Sequence, residues 1–238
     1  MILLILLGLT FFIQLLASPW FVMVETSSGG RAAFKYRLLC MGIFIADALL
    51  CGAITMAHTS PYFILIGAGM LLSLLAGVLA STLKEKSEEA FFTLQSVVNI
   101  LYTSAFILQL HSLYDIGKQE IPSTLIPAVI GLLLIPFTCK RKGKILPLSI
   151  ISVISALLMG AKAIHLGVLC QQTNLPIMQA VSCALIMGAA SLTFSVLLAT
   201  RQRISPPPQG KPQLPKHCAY FFGQMLIACS ILICGGLR

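Results

Sequence analysis

Long apolar runs alternate with short polar segments along the whole chain. A helix needs about 20 apolar residues to cross a hydrocarbon core about 30 Å thick. Eight runs approach or exceed that length, namely residues 1–24, 36–57, 61–83, 90–112, 124–139, 145–170, 177–200 and 218–237. The run at 124–139 is short for a crossing. The pattern predicts an all-α polytopic membrane protein with eight transmembrane helices, forming a single transmembrane domain over residues 1–238.

The composition and the placement of charge agree with this pattern. The chain is 58% hydrophobic and 10% charged, whereas soluble domains carry about 25% charged residues. Thirteen of its 16 Lys and Arg residues lie in the first, third, fifth and seventh loops. The positive-inside rule therefore predicts that the odd-numbered loops are cytoplasmic and that both termini lie on the opposite side. The basic residues that give the net charge of +9 lie mostly in alternate short loops, where they set the topology of the helices in the membrane. This charge therefore does not predict nucleic-acid binding.

Motifs of soluble enzymes and metal proteins are missing from the sequence. The eight cysteines form no CxxC pair and no Cys/His cluster at zinc spacing. Gly-rich phosphate loops, HExxH and GxSxG are also absent. The sequence predicts neither a metal nor a cofactor.

A faint internal symmetry relates the two halves of the chain. Gly69 and Gly188 lie 119 residues apart, half the chain length, and begin the similar runs GMLLSLLAGVLAS and GAASLTFSVLLAT. This offset fits a tandem 4+4 helix repeat with both halves in the same orientation. Small residues recur every four positions at Gly69, Ser73, Gly77 and Ser81 and again at Ala180, Ala184 and Gly188, which predicts closely packed helix faces.

Ionisable residues inside the runs are the first candidates for function. Asp47 is the only one of the seven acidic residues within a membrane-length run, and Lys162 lies one helical turn before His165 in the run at 145–170. A charge in hydrocarbon costs about 3 kcal/mol on insertion scales, so such residues usually face a protein interior or a wet cavity. Asp47 and Lys162 are therefore candidates for a functional site or for a structural ion pair.

Polar residues also share helical faces inside several runs. They are Gln95, Asn99, Tyr102 and Gln109 in one run, Ser191 and Ser195 in another, and Tyr220 and Gln224 in the last. Their steps of three, four and seven residues place each set on one side of its helix. Interhelical hydrogen bonds, worth on the order of 0.6 kcal/mol each, are one interpretation. The number of such groups favours a polar cavity inside the membrane.

Four of the runs resemble the YhhN-like lysoplasmalogenases. These are eight-helix membrane proteins, some of which hydrolyse the vinyl-ether bond of lysoplasmalogens. The similar segments are GMLLSLLAG at 69–77, NILYTSAF at 99–106, the run with Gly188, Phe194 and Ser195, YFFGQ at 220–224, and Lys35 before the second run. The sequence departs from the family where it carries Gly77 and Val196 in place of two aspartates and Asn99 in place of a histidine.

The resemblance implies that the protein binds, and in its enzymatic form hydrolyses, a lysophospholipid-like amphiphile from the membrane. In that interpretation Asp47 and His165 are catalytic and Lys162 binds the phosphate. The remaining substrate-binding candidates are Gln95, Asn99, Tyr102, Ser195, Tyr220 and Gln224. Two alternatives stay open: an inactive relative that binds or transports a lipid or small solute, and a structural membrane subunit.

Overall fold

The computed structural model describes residues 2–27, 30–82, 87–113, 125–131, 133, 145–173, 175–204 and 214–235. Regular structure in these ranges is helical, without a strand. The α-helices are α1 (Ile2–Ser27), α2 (Gly30–Thr55), α3 (Pro61–Thr82), α4 (Ser87–Leu113), α5 (Ile145–Gln171), α6 (Pro176–Ile204) and α7 (Leu214–Cys229). A 3-10 helix, Ser230–Gly235, continues directly from α7.

Each of these seven α-helices contains a stretch long and apolar enough to cross a membrane. The stretches are Ile2–Val24, Phe34–Thr55, Pro61–Leu79, Glu89–Ser112, Pro147–Gln171, Pro176–Arg201 and Pro215–Cys234. They coincide with seven predicted runs to within a few residues, which confirms the all-α membrane fold. The predicted run at 124–139 falls largely outside the described residues, although 125–131 and 133 are helical. The eighth span and the 4+4 repeat therefore stay predictions.

The join between α2 and α3 illustrates how the sequence ends one helix and begins the next. Met56 adopts a left-handed conformation with φ of 53°, and the Ala57 N–H donates to the Gly52 carbonyl at 3.1 Å. This six-to-one bond is the Schellman pattern that closes a helix. Pro61 then occupies the first position of α3, where a missing N–H costs nothing. The short connection makes α2 and α3 antiparallel neighbours.

The helices form a closed arrangement with α7 at its centre. Consecutive helices pack against each other from α1 to α7, and α7 also contacts α1, α2 and α3. The membrane stretch of α7 is 61% buried, whereas that of α1 is 17% buried. Among the described helices, α2 has no contact with α5. Large apolar side chains such as Phe12, Leu16 and Trp20 project outward from α1, as expected for a helix that faces lipid.

The helices α6 and α7 cross at two glycines. A Cβ added to Gly188 would lie 3.1 Å from the Ile227 nitrogen and 3.2 Å from the Gly223 oxygen. A Cβ added to Gly223 would lie 3.0 Å from the Gly188 oxygen. Only glycine permits this backbone-to-backbone approach, which is the usual use of small residues in membrane helices. The crossing holds α7 in the centre of the bundle.

Candidate functional site

A group of four polar residues lies where α3, α4 and α7 meet. We call Ser73, Tyr102, Tyr220 and Gln224 the central cluster. The Tyr102 hydroxyl donates to Gln224 Oε1 at 2.5 Å, and Gln224 Nε2 donates to Ser73 Oγ at 3.1 Å. Gly69 on α3 leaves room for the Tyr102 ring, since a Cβ there would overlap it. The cluster thus joins three helices through two interhelical hydrogen bonds.

Tyr220 differs from the other members of the central cluster. It lies one helical turn before Gln224 on α7 and is 8% exposed. Its hydroxyl lies near Ser73 and Gln224 but makes no hydrogen bond of good geometry in the part of the chain that the structure describes. The guanidinium of Arg37 on α2 interacts with it electrostatically. A buried hydroxyl without a partner costs about 1–3 kcal/mol, so the cluster retains capacity for one further polar group.

Arg37 lies at the end of the bundle beside the central cluster. Its guanidinium carbon is 5.4 Å from the centroid of the Phe21 ring on α1, within cation–π range. The imidazole of His217 on α7 stands edge-on to the same ring at 5.3 Å. The aliphatic part of Arg37 passes Gly77 on α3, with Cδ 3.8 Å from the position of an added Cβ. We call Arg37, His217 and Phe21 the cationic corner.

Asp47 occupies a separate position between α1 and α2. It is fully buried, at 0% exposed, and accepts a hydrogen bond on Oδ1 from the Thr10 hydroxyl. Its Oδ2 has no partner among the described residues. One turn further along α1, Gln14 is 1% exposed, and neither atom of its amide has a described partner. We call Thr10, Gln14 and Asp47 the α1–α2 seam.

We expect Thr10→Val to destabilise the protein through the α1–α2 seam. Valine has nearly the same shape, but it leaves both carboxyl oxygens of Asp47 without a partner inside the bundle. The free energy of unfolding should fall by about 2 kcal/mol. Unfolding of the purified protein in detergent, followed by circular dichroism, measures this change. Thr93→Val is the matched control, because the Thr93 hydroxyl is exposed and bonds only to Glu89 of its own helix; an equal loss in both variants would contradict the prediction.

A third polar group joins α4 to α5. Gln95 Nε2 donates to Asn99 Oδ1 at 3.2 Å, and Asn99 Nδ2 donates to Ser155 Oγ at 3.2 Å. Lys162, 1% exposed, lies on the same helix as Ser155, and His165 follows it on α5, half-buried. Asn99 thus links α4 to α5, whereas Gln95 bonds to Asn99 within α4.

The predicted site residues other than Ser195 therefore fall into three groups. Asp47 and Lys162 lie on α2 and α5, whose backbones do not contact each other. Ser195 lies apart from all three groups and donates to the Lys216 carbonyl at 3.0 Å, linking α6 to the first turn of α7. The catalytic and binding roles assigned from the sequence stay predictions.

Gly77 and Val196, where the resemblance to the lysoplasmalogenases predicts aspartates that this chain lacks, are apolar contacts in this structure. An added Cβ at Gly77 would overlap the end of the Met41 side chain. Val196 is 5% exposed and packs with Val153 and Ala156 across the α5–α6 contact. Neither position offers a carboxyl group, and the described residues contain no group of three His, Cys, Asp or Glu side chains that could hold a metal ion.

The sequence did not predict that Arg37 interacts with Tyr220 or that Thr10 bonds to Asp47. Arg37 was counted among the loop charges, yet it lies within α2 and faces the bundle. Thr10 and Gln14 recur at four-residue spacing in the first run, and this polar stripe could have indicated a buried face.

Comparison with known proteins identifies no family for this chain, so the proposed function depends on the geometry of the polar residues. The chain matches no protein-family model, no curated protein and no solved structure. The resemblance to the YhhN-like lysoplasmalogenases stays a prediction from the sequence. What the seven long apolar helices identify is a multi-pass integral membrane protein.

Proposed function

We propose that the protein binds a lysophospholipid-like amphiphile whose polar head lies at the central cluster. The observation that carries this proposal is the buried Tyr220 hydroxyl, which lies near Ser73 and Gln224 without a hydrogen bond of good geometry among the described residues and interacts electrostatically with Arg37. A ligand oxygen would supply the missing partner. The ligand's hydrocarbon chain would extend along the apolar helices, where transfer from the surrounding lipid costs little.

Binding without hydrolysis is the version that the arrangement favours. Gly77 and Val196 provide no carboxylate at the positions where the resemblance implies acid–base chemistry. Asp47 and His165, the candidate acid and base, lie on α2 and α5, two helices whose backbones do not contact each other. A general base must come within hydrogen-bond reach of the group that it serves. The protein is therefore proposed as a divergent, non-hydrolytic member of the YhhN-like family.

The proposal includes the remaining sequence predictions about topology. The odd-numbered loops, which carry thirteen basic residues, are proposed to be cytoplasmic, with both termini on the opposite side. An eighth span within 124–139 completes two four-helix halves of the same orientation.

Tyr220→Phe tests the proposal directly. The substitution removes the hydroxyl without breaking a hydrogen bond of good geometry between described residues. We expect binding of palmitoyl lysophosphatidylcholine or lysophosphatidylglycerol to the purified protein, measured by native mass spectrometry, to weaken about tenfold while stability is kept.

The matched control is Tyr62→Phe, which makes the same chemical change elsewhere in the core. The Tyr62 hydroxyl lies 2.6 Å from Ser230 Oγ, so this variant should lose stability and keep lipid binding. If neither lysolipid binds saturably, the proposed function is wrong. If a lysoplasmalogen is hydrolysed and Asp47→Asn abolishes the turnover, the hydrolase alternative replaces it.

A further inference from the structure

We propose that the α1–α2 seam is a binding site for a small monovalent cation, with sodium as the ion of matching size and charge. Oxygen atoms of Thr10, Gln14 and Asp47 would hold the ion between the two helices. The site is separate from the central cluster, and this inference does not depend on the proposed lipid binding.

The side chains of the seam converge because α1 and α2 run in opposite directions. The Thr10 hydroxyl bonds to Asp47. About two turns further along α1, Ser18 lies beside Cys40, which precedes Asp47 on α2. A side chain in an α-helix leans toward the N-terminus of its own helix. Gln14 therefore leans back toward Thr10, while Asp47 leans toward the level of Gln14.

Buried polar atoms of the seam lack the partners that burial requires. Asp47 is fully buried and Gln14 almost completely so, yet Oδ2 of the carboxyl group and both amide atoms make no hydrogen bond with a described residue. The carboxylate and amide oxygens are both acceptors, so they cannot satisfy each other. A cation between them would satisfy both, since such oxygens are the ligands of hard cations. Because neither amide atom is committed to a partner, the amide can turn its oxygen toward the ion.

A buried carboxylate also needs a counter-charge, and the helices packed around it carry none at its level. The helices that contact α1 or α2 are these two themselves, α3, α7 and the 3-10 helix. The membrane stretches Ile2–Val24 of α1 and Pro61–Leu79 of α3 contain no Lys, Arg or His, and neither does the 3-10 helix. On α2, Lys35 and Arg37 precede Asp47 by at least ten residues, about 15 Å along the helix axis.

The basic residues of α7 also lie away from the seam carboxylate. Lys216 and His217 immediately precede Cys218, which interacts electrostatically with Cys40 on α2. Cys40 lies seven residues before Asp47, about 10 Å along the axis. These two basic residues are therefore near the level of Cys40 rather than that of the carboxylate.

The single carboxylate and the narrow seam together select the ion. One negative charge neutralises a monovalent cation, whereas a divalent ion would leave a net charge in hydrocarbon. Because the Thr10 hydroxyl reaches Asp47 directly, the gap between the helices is one hydrogen bond wide, which favours sodium or lithium over the larger potassium. Hydroxyl and amide oxygens bind such ions as neutral ligands. The site thus needs no group of three His, Cys, Asp or Glu side chains, a group absent from the described residues.

Thermal unfolding of the full chain in neutral detergent tests the site. Circular dichroism would follow it in sodium, lithium, potassium or choline chloride, at equal ionic strength and fixed pH. Sodium at about ten times its dissociation constant should raise the melting temperature by about 3–5 °C above the value in choline. Potassium should raise it much less.

Two seam variants should lose this response. Asp47→Asn keeps the shape of the side chain and removes its charge, so it should melt in choline no lower than the unmodified protein and show no rise with sodium. Gln14→Met breaks no side-chain hydrogen bond between described residues and should need about tenfold more sodium for the same rise. The matched control is Glu89→Gln, which removes an exposed carboxylate from α4 and should keep the full response.

The pattern across salts and variants decides the assignment. A sodium-specific rise that Glu89→Gln keeps and both seam variants weaken supports the cation site. If the four salts give one melting temperature, or if Asp47→Asn responds to sodium as the unmodified protein does, the site is wrong. If potassium stabilises as strongly as sodium, the assignment to a small ion is wrong. Should Asp47→Asn fail to fold, an unchanged sodium requirement in Gln14→Met would equally overturn the proposal.

Discussion

Gly188→Val is expected to separate α6 from α7 and to lower the free energy of unfolding by about 3 kcal/mol. The added side chain would meet backbone atoms, with its Cβ 3.1 Å from the Ile227 nitrogen and 3.2 Å from the Gly223 oxygen. Backbone atoms of a helix cannot move aside as the end of a flexible side chain can. Relief would require α7 to shift as a whole, and α7 contacts α1, α2 and α3 as well.

The matched control is Gly42→Val on α2, where no atom lies within 4 Å of the added Cβ and the position is exposed. Unfolding in mixed micelles, followed by circular dichroism, compares the two variants. Gly223→Val should resemble Gly188→Val, because its Cβ would lie 3.0 Å from the Gly188 oxygen. The double variant should cost less than the sum of the two, since both break one contact. Equal stability of Gly188→Val and Gly42→Val would contradict the close crossing.

The membrane spans could be predicted from the sequence because the bilayer imposes their length and polarity. A helix in hydrocarbon satisfies its own backbone hydrogen bonds, and its side chains must be apolar for about 20 residues. Both requirements can be read directly along the chain. The seven membrane stretches agree with the predicted runs for that reason, including the start of α3 at Pro61.

The neighbours of each helix could not be predicted, because hydropathy varies along the chain and carries no information across the bundle. Asp47 and Lys162 attract attention together as buried charges, yet α2 and α5 do not contact each other. The partner of Asp47 is Thr10, one of the few polar residues in the first apolar run. By contrast, the sequence predicts that Tyr102 and Gln224 lie on inward faces of their helices, and the two residues do share a hydrogen bond.

Arg37 shows why a charge at a span end is difficult to interpret from sequence alone. The same residue can mark topology, extend its head to the membrane surface or face the interior, since long basic side chains place their charge several ångströms from their Cα. Here the Phe21 ring and Gly77 hold it along the bundle. Counting the basic residues of each loop detects only the role of Arg37 in marking topology.

Val196→Asp is expected to be the more damaging of the two substitutions that would introduce the carboxylates predicted from the resemblance to the lysoplasmalogenases. Val196 is 5% exposed and packs with Val153 and Ala156, an apolar surrounding in which an acidic side chain costs about 3 kcal/mol. The free energy of unfolding, measured in mixed micelles, should fall by about that amount. Val196→Thr, which keeps the shape and adds only a hydroxyl, should lose much less.

Gly77→Asp should behave differently from Val196→Asp, because Arg37 lies beside Gly77 and can pair with the new carboxylate. The double variant Gly77→Asp, Val196→Asp therefore tests whether the missing acids alone separate this protein from a hydrolase. We expect it to be destabilised by the second substitution and to release no product from a lysoplasmalogen, since Val153 and Ala156, which pack against position 196, are both apolar. A stable double variant with measurable turnover would mean that the apolar contacts at these positions merely fill a catalytic site, and the non-hydrolytic proposal would be wrong.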